Sequence, residues 1–161
     1  MKPYPLLGLA LYSTTLIALA GEDSDTFEVT ATVDDSCTVT ADDLNFGSYE
    51  PFSETPLDGT SDVYVQCTKG TDYDVGLSDG EHAETGQRRM IHGTDTDAFL
   101  EYELYKDATR ETRWDDLEGV NVVEGTGDGT EQSHTVYGHI PAEQNVPAGA
   151  YSDTITVTVK W

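Results

Sequence analysis

Basic side chains are scarce in this sequence. Its 161 residues include 8 Lys and Arg against 31 Asp and Glu, which gives a formal net charge of −23 at pH 7. Nucleic-acid binding needs Lys and Arg to neutralise phosphates, so this balance argues against nucleic acid as a partner. Anionic membrane surfaces are disfavoured for the same reason. Carboxylates at this density repel one another at low salt. We interpret the acidity as a sign of a high-salt habitat and not of a particular activity.

Long apolar runs are missing after the first twenty residues. Before that point, Lys2 precedes an apolar run at residues 6–18, and a small-x-small pattern follows at residues 18–20. This arrangement predicts a signal peptide over residues 1–20 and a mature chain that begins at Gly21. The run is short and interrupted for a membrane span. An uncleaved membrane anchor is the alternative.

Cysteine is limited to two residues, Cys37 and Cys67. An exported chain meets an oxidising compartment, so we predict that they form a disulfide, for which only one pairing exists. The chain-entropy model gives such a bond roughly 3–4 kcal/mol of stabilisation. Two buried free thiols are the alternative.

Helical periodicity is also lacking. Apolar residues instead alternate with polar ones in short runs that recur every ten or so residues, separated by turn signals. This pattern is typical of an all-β sandwich, and we predict one such domain. We expect the run at residues 63–67 to form a hairpin with the run at 73–77. The run at residues 99–105 predicts one strand that buries Leu100, Tyr102 and Leu104.

The last eleven residues, 151–161, give the clearest strand pattern. Its apolar face consists of Ile155, Val157, Val159 and Trp161. Threonines and a lysine occupy the other face. No residues remain after Trp161 for a strand that would cover this edge, and an apolar edge must be paired or covered. We therefore expect an unfilled groove beside the final strand.

A similar alternating run lies near the other end, at residues 26–33. Its apolar face consists of Phe27, Val29, Ala31 and Val33. Asp34, Asp35 and Ser36 then break the pattern, as a hinge would. Our hypothesis is that this run of one molecule fills the groove of the next. The alternative is an ordinary first strand of a complete sandwich.

These segments resemble the spore coat protein U / Csu-type pilins of the archaic chaperone–usher pathway. Matching motifs include Phe27-x-Val-x-Ala-x-Val, Leu44-Asn-Phe-Gly-x-Tyr and Val63-x-Val-x-Cys-Thr-x-Gly. The most specific motif is Val146-Pro-Ala-Gly-x-Tyr-x-Asp-Thr-Ile-Thr-Val-Thr-Val. The sequence departs from the family pattern at Trp114-Asp-Asp-Leu, at His139 and in its last two residues.

The resemblance implies an incomplete immunoglobulin-like β-sandwich that is completed by donor-strand exchange. A periplasmic chaperone would lend a strand during export. An outer-membrane usher would then exchange it for the N-terminal strand of the next subunit. In this scheme Phe27, Val29, Ala31 and Val33 are donor residues. The acceptor-groove residues are Ile155, Val157, Val159 and Trp161.

Catalytic and metal-binding patterns are not found in the sequence. Its four histidines lack metal-type spacing, and no EF-hand loop, Gly-x-Ser-x-Gly elbow or phosphate loop is present. The adjacent Arg88 and Arg89 are expected to pair with local carboxylates, and such pairs contribute little stability where they are exposed. An anion-binding spot is the alternative. We predict neither an enzyme nor a cofactor.

Together these observations predict three parts: a signal peptide at 1–20, a donor strand and hinge at 21–35, and a pilin sandwich at 36–161. The predicted function is a structural pilus subunit in a cell-surface filament for adhesion or biofilm formation. Its expected partners are neighbouring pilin subunits, a periplasmic chaperone and an outer-membrane usher. The alternatives are a monomeric secreted sandwich that binds carbohydrate or calcium, and a structural protein of a spore coat.

Overall fold

The computed structural model describes residues 21–116 and 120–161, so the predicted signal peptide lies outside the described residues. The chain divides into two units after Thr32. Residues 21–32 contain no strand. The second unit carries all the strands of the described residues, which contain no helix. The predicted all-β fold class is therefore confirmed. Its strands are β1 (Cys37–Ala41), β2 (Leu57–Cys67), β3 (Asp72–Leu77), β4 (Arg89–His92), β5 (Phe99–Glu101), β6 (Glu103–Tyr105), β7 (Val123–Thr126), β8 (Glu131–Ile140), β9 (Tyr151–Ser152) and β10 (Val157–Lys160).

The strands form three antiparallel sheets. The largest has the order β1-β2-β8-β6, the second β10-β3-β7 and the third β5-β4-β9. The core between the first two sheets is apolar because each contributes its alternate inward-facing residues. Val65 of β2 and Val75 of β3 are fully buried there, and Ile140 of β8 is almost fully buried. Trp114 is also fully buried, and its indole nitrogen donates a 2.8 Å hydrogen bond to the carbonyl of Val75.

The predicted disulfide is present in the structure. Cys37 and Cys67 are directly opposite each other in the β1–β2 ladder, and their sulfur atoms are bonded. Both residues belong to the buried core. The bond therefore fixes β1, an edge strand of the largest sheet, to its single neighbour β2 among the described strands.

The predicted hairpin between residues 63–67 and 73–77 is wrong. β2 pairs with β1 and β8, whereas β3 pairs with β10 and β7 in the opposite sheet. The connection crosses between the sheets at Gly70, whose φ is +90° and whose amide donates a 2.8 Å hydrogen bond to the carbonyl of Gly127. Glycine adopts this left-handed conformation without steric penalty. Both strands still bury their apolar faces as the alternation predicted.

Two other predicted strands are each divided between two sheets. Residues 151–161 form β9 in the third sheet and β10 in the second, with no strand at residues 153–156. Residues 99–105 form β5 and β6 in different sheets, although Leu100, Tyr102 and Leu104 are all buried as predicted. The motif at residues 44–49 is not a strand. The side chain of Asn45 accepts a 2.8 Å hydrogen bond from the amide of Gly47, which has φ +77° and turns the chain.

An open groove bordered by β1 and β10

The candidate site begins with two unpaired strand edges. β10 pairs with β3, and β1 pairs with β2. In the part of the chain that the structure describes, neither strand has a second hydrogen-bonded neighbour. The two strands are close to each other in space and belong to opposite sheets. Their free main-chain groups are therefore available to another strand.

Beside these edges lies an open cavity of about 1080 Å³, which we call the acceptor groove. Its lining combines buried residues of the sandwich core with half-buried residues from the segments that adjoin β1 and β10. The apolar residues of this lining include Leu44, Phe46, Leu77, Met90, Leu100, Leu104, Val136, Ile140, Val146, Ile155 and Val157. Polar residues such as Asn45 and Ser61 also contribute to the lining. A cavity beside strand edges with this many apolar side chains is suited to an extended chain that has one apolar and one polar face.

The final strand presents a half-buried apolar face. Val157 and Val159 of β10 are partly buried, while the intervening Thr158 is exposed. Ile155 is partly buried as well. Inward residues that are only half-covered indicate that more apolar surface could be buried against them.

The four predicted acceptor residues do not all lie together. Ile155 and Val157 line the acceptor groove. Val159 packs against the core without lining the groove. Trp161 is 56% exposed and lines a separate depression that includes Asp72 and Tyr73. The acceptor role of all four residues stays a prediction.

A pair of glycines shapes one wall of the acceptor groove. Gly59 of β2 and Gly138 of β8 are opposite each other in the ladder. A Cβ atom on Gly138 would lie 2.6 Å from Cζ of Phe46 and 2.9 Å from Cδ1 of Leu44. The glycines therefore let Phe46 and Leu44 pack directly on the sheet, where both side chains line the groove.

A buried carboxylate connects the lining between β9 and β10 to the core. The side chain of Asp153 is 2% exposed. It accepts hydrogen bonds from the Tyr102 hydroxyl at 2.7 Å and from the Glu81 amide at 3.0 Å, and His82 Nδ1 lies 3.0 Å away. Burial, together with the hydrogen bond to Asp153, raises the pKa of Tyr102 well above its usual range. Tyr102 therefore remains a hydroxyl donor that positions Asp153 and the chain on either side of it.

Arg88 pairs with a local carboxylate as expected, but the pair is not an exposed one. The Arg88 side chain is fully buried, and its guanidinium donates to Glu103 Oε1 at 2.5 Å. It also donates to the carbonyl oxygens of Leu77, Ser78 and Trp114 at 2.7–2.9 Å. These acceptors belong to separate segments that converge on one cation. Sequence alone carried no sign of this, because a charged residue in a short extended run is usually exposed.

The predicted donor residues are exposed. Phe27 is 87% exposed, Val29 is 82% exposed and Val33 is 84% exposed. Ala31 is exposed too. Large apolar side chains with this exposure on alternate positions form a surface that a partner could bury.

The histidines all take part in hydrogen bonds within the protein. His134 Nε2 lies 2.9 Å from the Tyr73 hydroxyl, and His139 Nδ1 lies 2.7 Å from Asp58. His92 accepts from the amide of Asp95, and His82 contacts Asp153. Within residues 21–116 and 120–161, no group of three or more His, Cys, Asp or Glu side chains could hold a metal ion. No helix in these same residues is long and apolar enough to cross a membrane.

The fold and groove define the class of this protein as an all-β sandwich with an open, partly apolar groove beside two unpaired strand edges. Residues 23–158 match the sequence model of the Spore Coat Protein U domain. The chain therefore belongs to the Spore Coat Protein U domain family, as the sequence motifs predicted.

Two known proteins illustrate the relationship. The chain is 36% identical over 127 residues to Protein U of Myxococcus xanthus, which covers 72% of this chain and 70% of that protein. Its structure is similar to a chain in the crystal structure of the CsuC-CsuE chaperone-tip adhesion subunit pre-assembly complex from archaic chaperone-usher Csu pili of Acinetobacter baumannii. That match has a TM-score of 0.61 and 27% sequence identity, and it covers 81% of this chain. It covers 41% of the other chain, so this protein spans less than half of that chain's length. The family and this neighbour are structural proteins and not enzymes.

Proposed function

We propose that this protein is a subunit of a chaperone–usher surface filament and that it polymerises by donor-strand exchange. The observation that carries the proposal is the acceptor groove: an open cavity of about 1080 Å³, lined in part by apolar core residues, beside the half-buried face of β10. The occupant that we propose is the segment at residues 26–33 of a second copy. Its exposed apolar side chains alternate at the period of a strand, which suits a groove between two strand edges.

Apolar burial and main-chain pairing would both stabilise the inserted strand. Full burial of a Phe or Val side chain stabilises a complex by roughly 1.5–3 kcal/mol. The incoming strand would also pair with the free edge of β10 or β1. A one-residue slip would turn Phe27 and Val29 to the wrong face, so the pattern sets a single register. The contact joins different surfaces of two copies, and a heterologous contact that does not close produces a filament.

The setting that we propose follows from the same scheme. The protein would be exported through the periplasm by the predicted signal peptide at residues 1–20. A periplasmic chaperone would occupy the acceptor groove first, and an outer-membrane usher would then exchange the chaperone for the next subunit. The disulfide suits an oxidising compartment. The resulting filament would serve adhesion or biofilm formation at the cell surface.

A peptide-binding experiment tests this function. The recipient is the full chain with Phe27→Asp, which cannot supply a good donor segment to other copies. A synthetic peptide of residues 26–33 is added, and the melting temperature is measured as the peptide concentration rises. Because a ligand that binds only the folded state stabilises it, we expect a concentration-dependent increase. A Phe27→Asp peptide is the matched control and should have little effect. An unchanged melting temperature with both peptides would contradict donor-strand exchange and favour a secreted binding sandwich.

A further inference from the structure

The proposed donor segment is strongly acidic. Residues 21–35 contain no Lys or Arg, and every one of them is exposed. Their acidic side chains flank and interrupt the apolar positions and are Glu22, Asp23, Asp25, Glu28, Asp34 and Asp35. Insertion of this segment into a groove would therefore bring negative charge to the recipient, while Asp35 also accepts a 2.8 Å hydrogen bond from the Thr71 hydroxyl of its own sandwich.

The acceptor groove offers no compensating cation. Its lining includes Asp42, Asp43 and Asp153, and no Lys, Arg or His of the described residues contributes to it. Asp153 is buried against Tyr102 and His82. Asp42 and Asp43 are exposed and lie outside the ion pairs found among the described residues.

The four arginines of the sandwich have acidic partners elsewhere, whereas Lys106 donates to the carbonyl of Val122 and neither Lys106 nor Lys69 lines the groove. Arg88 is paired with Glu103, Arg89 with Glu84, Arg110 with Asp58 and Arg113 with Asp79, Glu103 and Asp115. Lys160 at the end of β10 faces Asp74 in the β3 register and is not part of the groove lining. The negative charge of an incoming donor would therefore meet a surface of the same sign.

We propose that assembly between copies of this protein is gated by ionic strength. This inference rests on the proposed function and concerns the regulation of the same groove. The apolar side chains drive the donor segment into the groove, while the flanking carboxylates oppose its approach. Salt screens the repulsion between carboxylates, because the Debye length falls from about 10 Å at 0.1 M to about 3 Å at 1 M. The groove therefore takes its donor at high salt and resists it at low salt.

The expected change in affinity with salt depends on the number of like charges on the donor segment. Long-range electrostatics changes protein association rates by about 10- to 1,000-fold, and the change depends steeply on ionic strength. With six carboxylates on the donor, we expect the affinity of the segment to rise at least about tenfold between about 0.1 M and about 1 M NaCl.

Three fluorescent peptides of residues 21–35 test the gating. The first has the native sequence, the second carries Asn and Gln at the six acidic positions, and the third carries Lys there. Binding to the full Phe27→Asp chain is measured by fluorescence anisotropy across the salt range. We expect the native peptide to bind more tightly as salt rises, the amide peptide to change by less than about threefold, and the lysine peptide to bind more weakly, because screening acts on attraction as well as repulsion.

The three peptides distinguish a failure of the salt dependence from a failure of strand exchange. Binding of the amide peptide at low salt demonstrates that the groove is folded and open under those conditions. A native peptide that binds equally well at all salt concentrations would overturn the gating and leave strand exchange intact. A native and an amide peptide with equally steep salt dependence would also overturn it, because salt would then act through apolar burial. No binding of any peptide at any salt concentration would overturn both proposals.

Discussion

At the scale of single residues, the buried guanidinium of Arg88 is the most consequential group in the sandwich. It donates to Glu103 and to the carbonyl oxygens of two segments, and its loss would remove all of these hydrogen bonds from the core. Glu103 would keep its contact with Arg113. Removal of one partner of a buried ion pair typically costs about 3–5 kcal/mol. We therefore expect Arg88→Met to lower the free energy of unfolding by about that amount, as measured by urea denaturation.

The neighbouring Arg89 supplies a matched control. Its ion-pair partner Glu84 is largely exposed, and its guanidinium lies 4.2 Å from the centre of the Phe99 ring. Exposed ion pairs and cation–π contacts each contribute about 1 kcal/mol or less, so Arg89→Met should cost far less than Arg88→Met. Equal losses in the two variants would contradict the structural role assigned to Arg88.

His134 gives the molecule a predicted pH dependence. Burial lowers the pKa of its imidazole, so the ring is neutral beside the Tyr73 hydroxyl in the folded protein. In the unfolded chain a histidine has a pKa of about 6.5. Between the two pKa values the unfolded state binds more protons, and stability therefore falls as the pH decreases below about 6.5. Urea midpoints between about pH 7 and pH 5 should fall less in His134→Gln than in the wild type. Identical slopes would contradict this assignment.

At the scale of structural elements, the paired glycines Gly59 and Gly138 should differ in how much stability is lost when each is replaced by alanine. A Cβ atom on Gly138 would approach Phe46 to 2.6 Å, whereas one on Gly59 would approach it to 3.2 Å. Overpacking of this kind costs about 1–3 kcal/mol. Gly138→Ala should therefore destabilise the protein more than Gly59→Ala, as seen in thermal melts.

A second substitution tests the cause of that loss. If the clash with Phe46 is responsible, the combination of Phe46→Leu with Gly138→Ala should be less destabilising than the sum of the two single changes, because neighbouring sites couple. If the losses of stability in the two single variants simply add in the double variant, the loss in Gly138→Ala arises from the backbone of β8 and not from the clash with Phe46.

The disulfide between β1 and β2 should be a large contribution to stability. Its partners are separated by 30 positions in the sequence, and a loop of this size corresponds to roughly 3–4 kcal/mol in the chain-entropy model. We expect Cys37→Ala/Cys67→Ala to lower the urea midpoint accordingly and to make it insensitive to a reducing agent. A wild type that loses no stability on reduction would contradict this expectation.

Strand faces could be predicted from the sequence, but strand partners could not. Alternation at Leu100, Tyr102 and Leu104 identified the buried side correctly, since the side-chain period reports which face is apolar. The same alternation at Val65 and Val75 carried no information about pairing, and the two strands belong to opposite sheets. The groove was expected beside the final strand, yet the contribution of Phe46 depends on glycines far away in sequence. The burial of Arg88 likewise depends on contacts that only the fold creates.

At the scale of the whole molecule, we propose that the exposed apolar segment of one copy enters the open groove of a second copy. Both surfaces carry negative charge, and the formal net charge of the chain is −23. Apolar burial and strand pairing would drive assembly, and the dissolved salt would decide when it proceeds. The disulfide and the Arg88 network would maintain the sandwich while its groove is empty.

The most direct test is a photo-cross-link from position 27. A photoreactive phenylalanine analogue replaces Phe27 in unlabelled full chains, which are mixed with isotopically heavy full chains at high salt and illuminated. We expect cross-linked peptides that join an unlabelled position 27 to heavy groove residues such as Phe46, Ile155 or Val157. Cross-links confined to single copies, or between copies at surfaces outside the groove, would contradict donor-strand exchange.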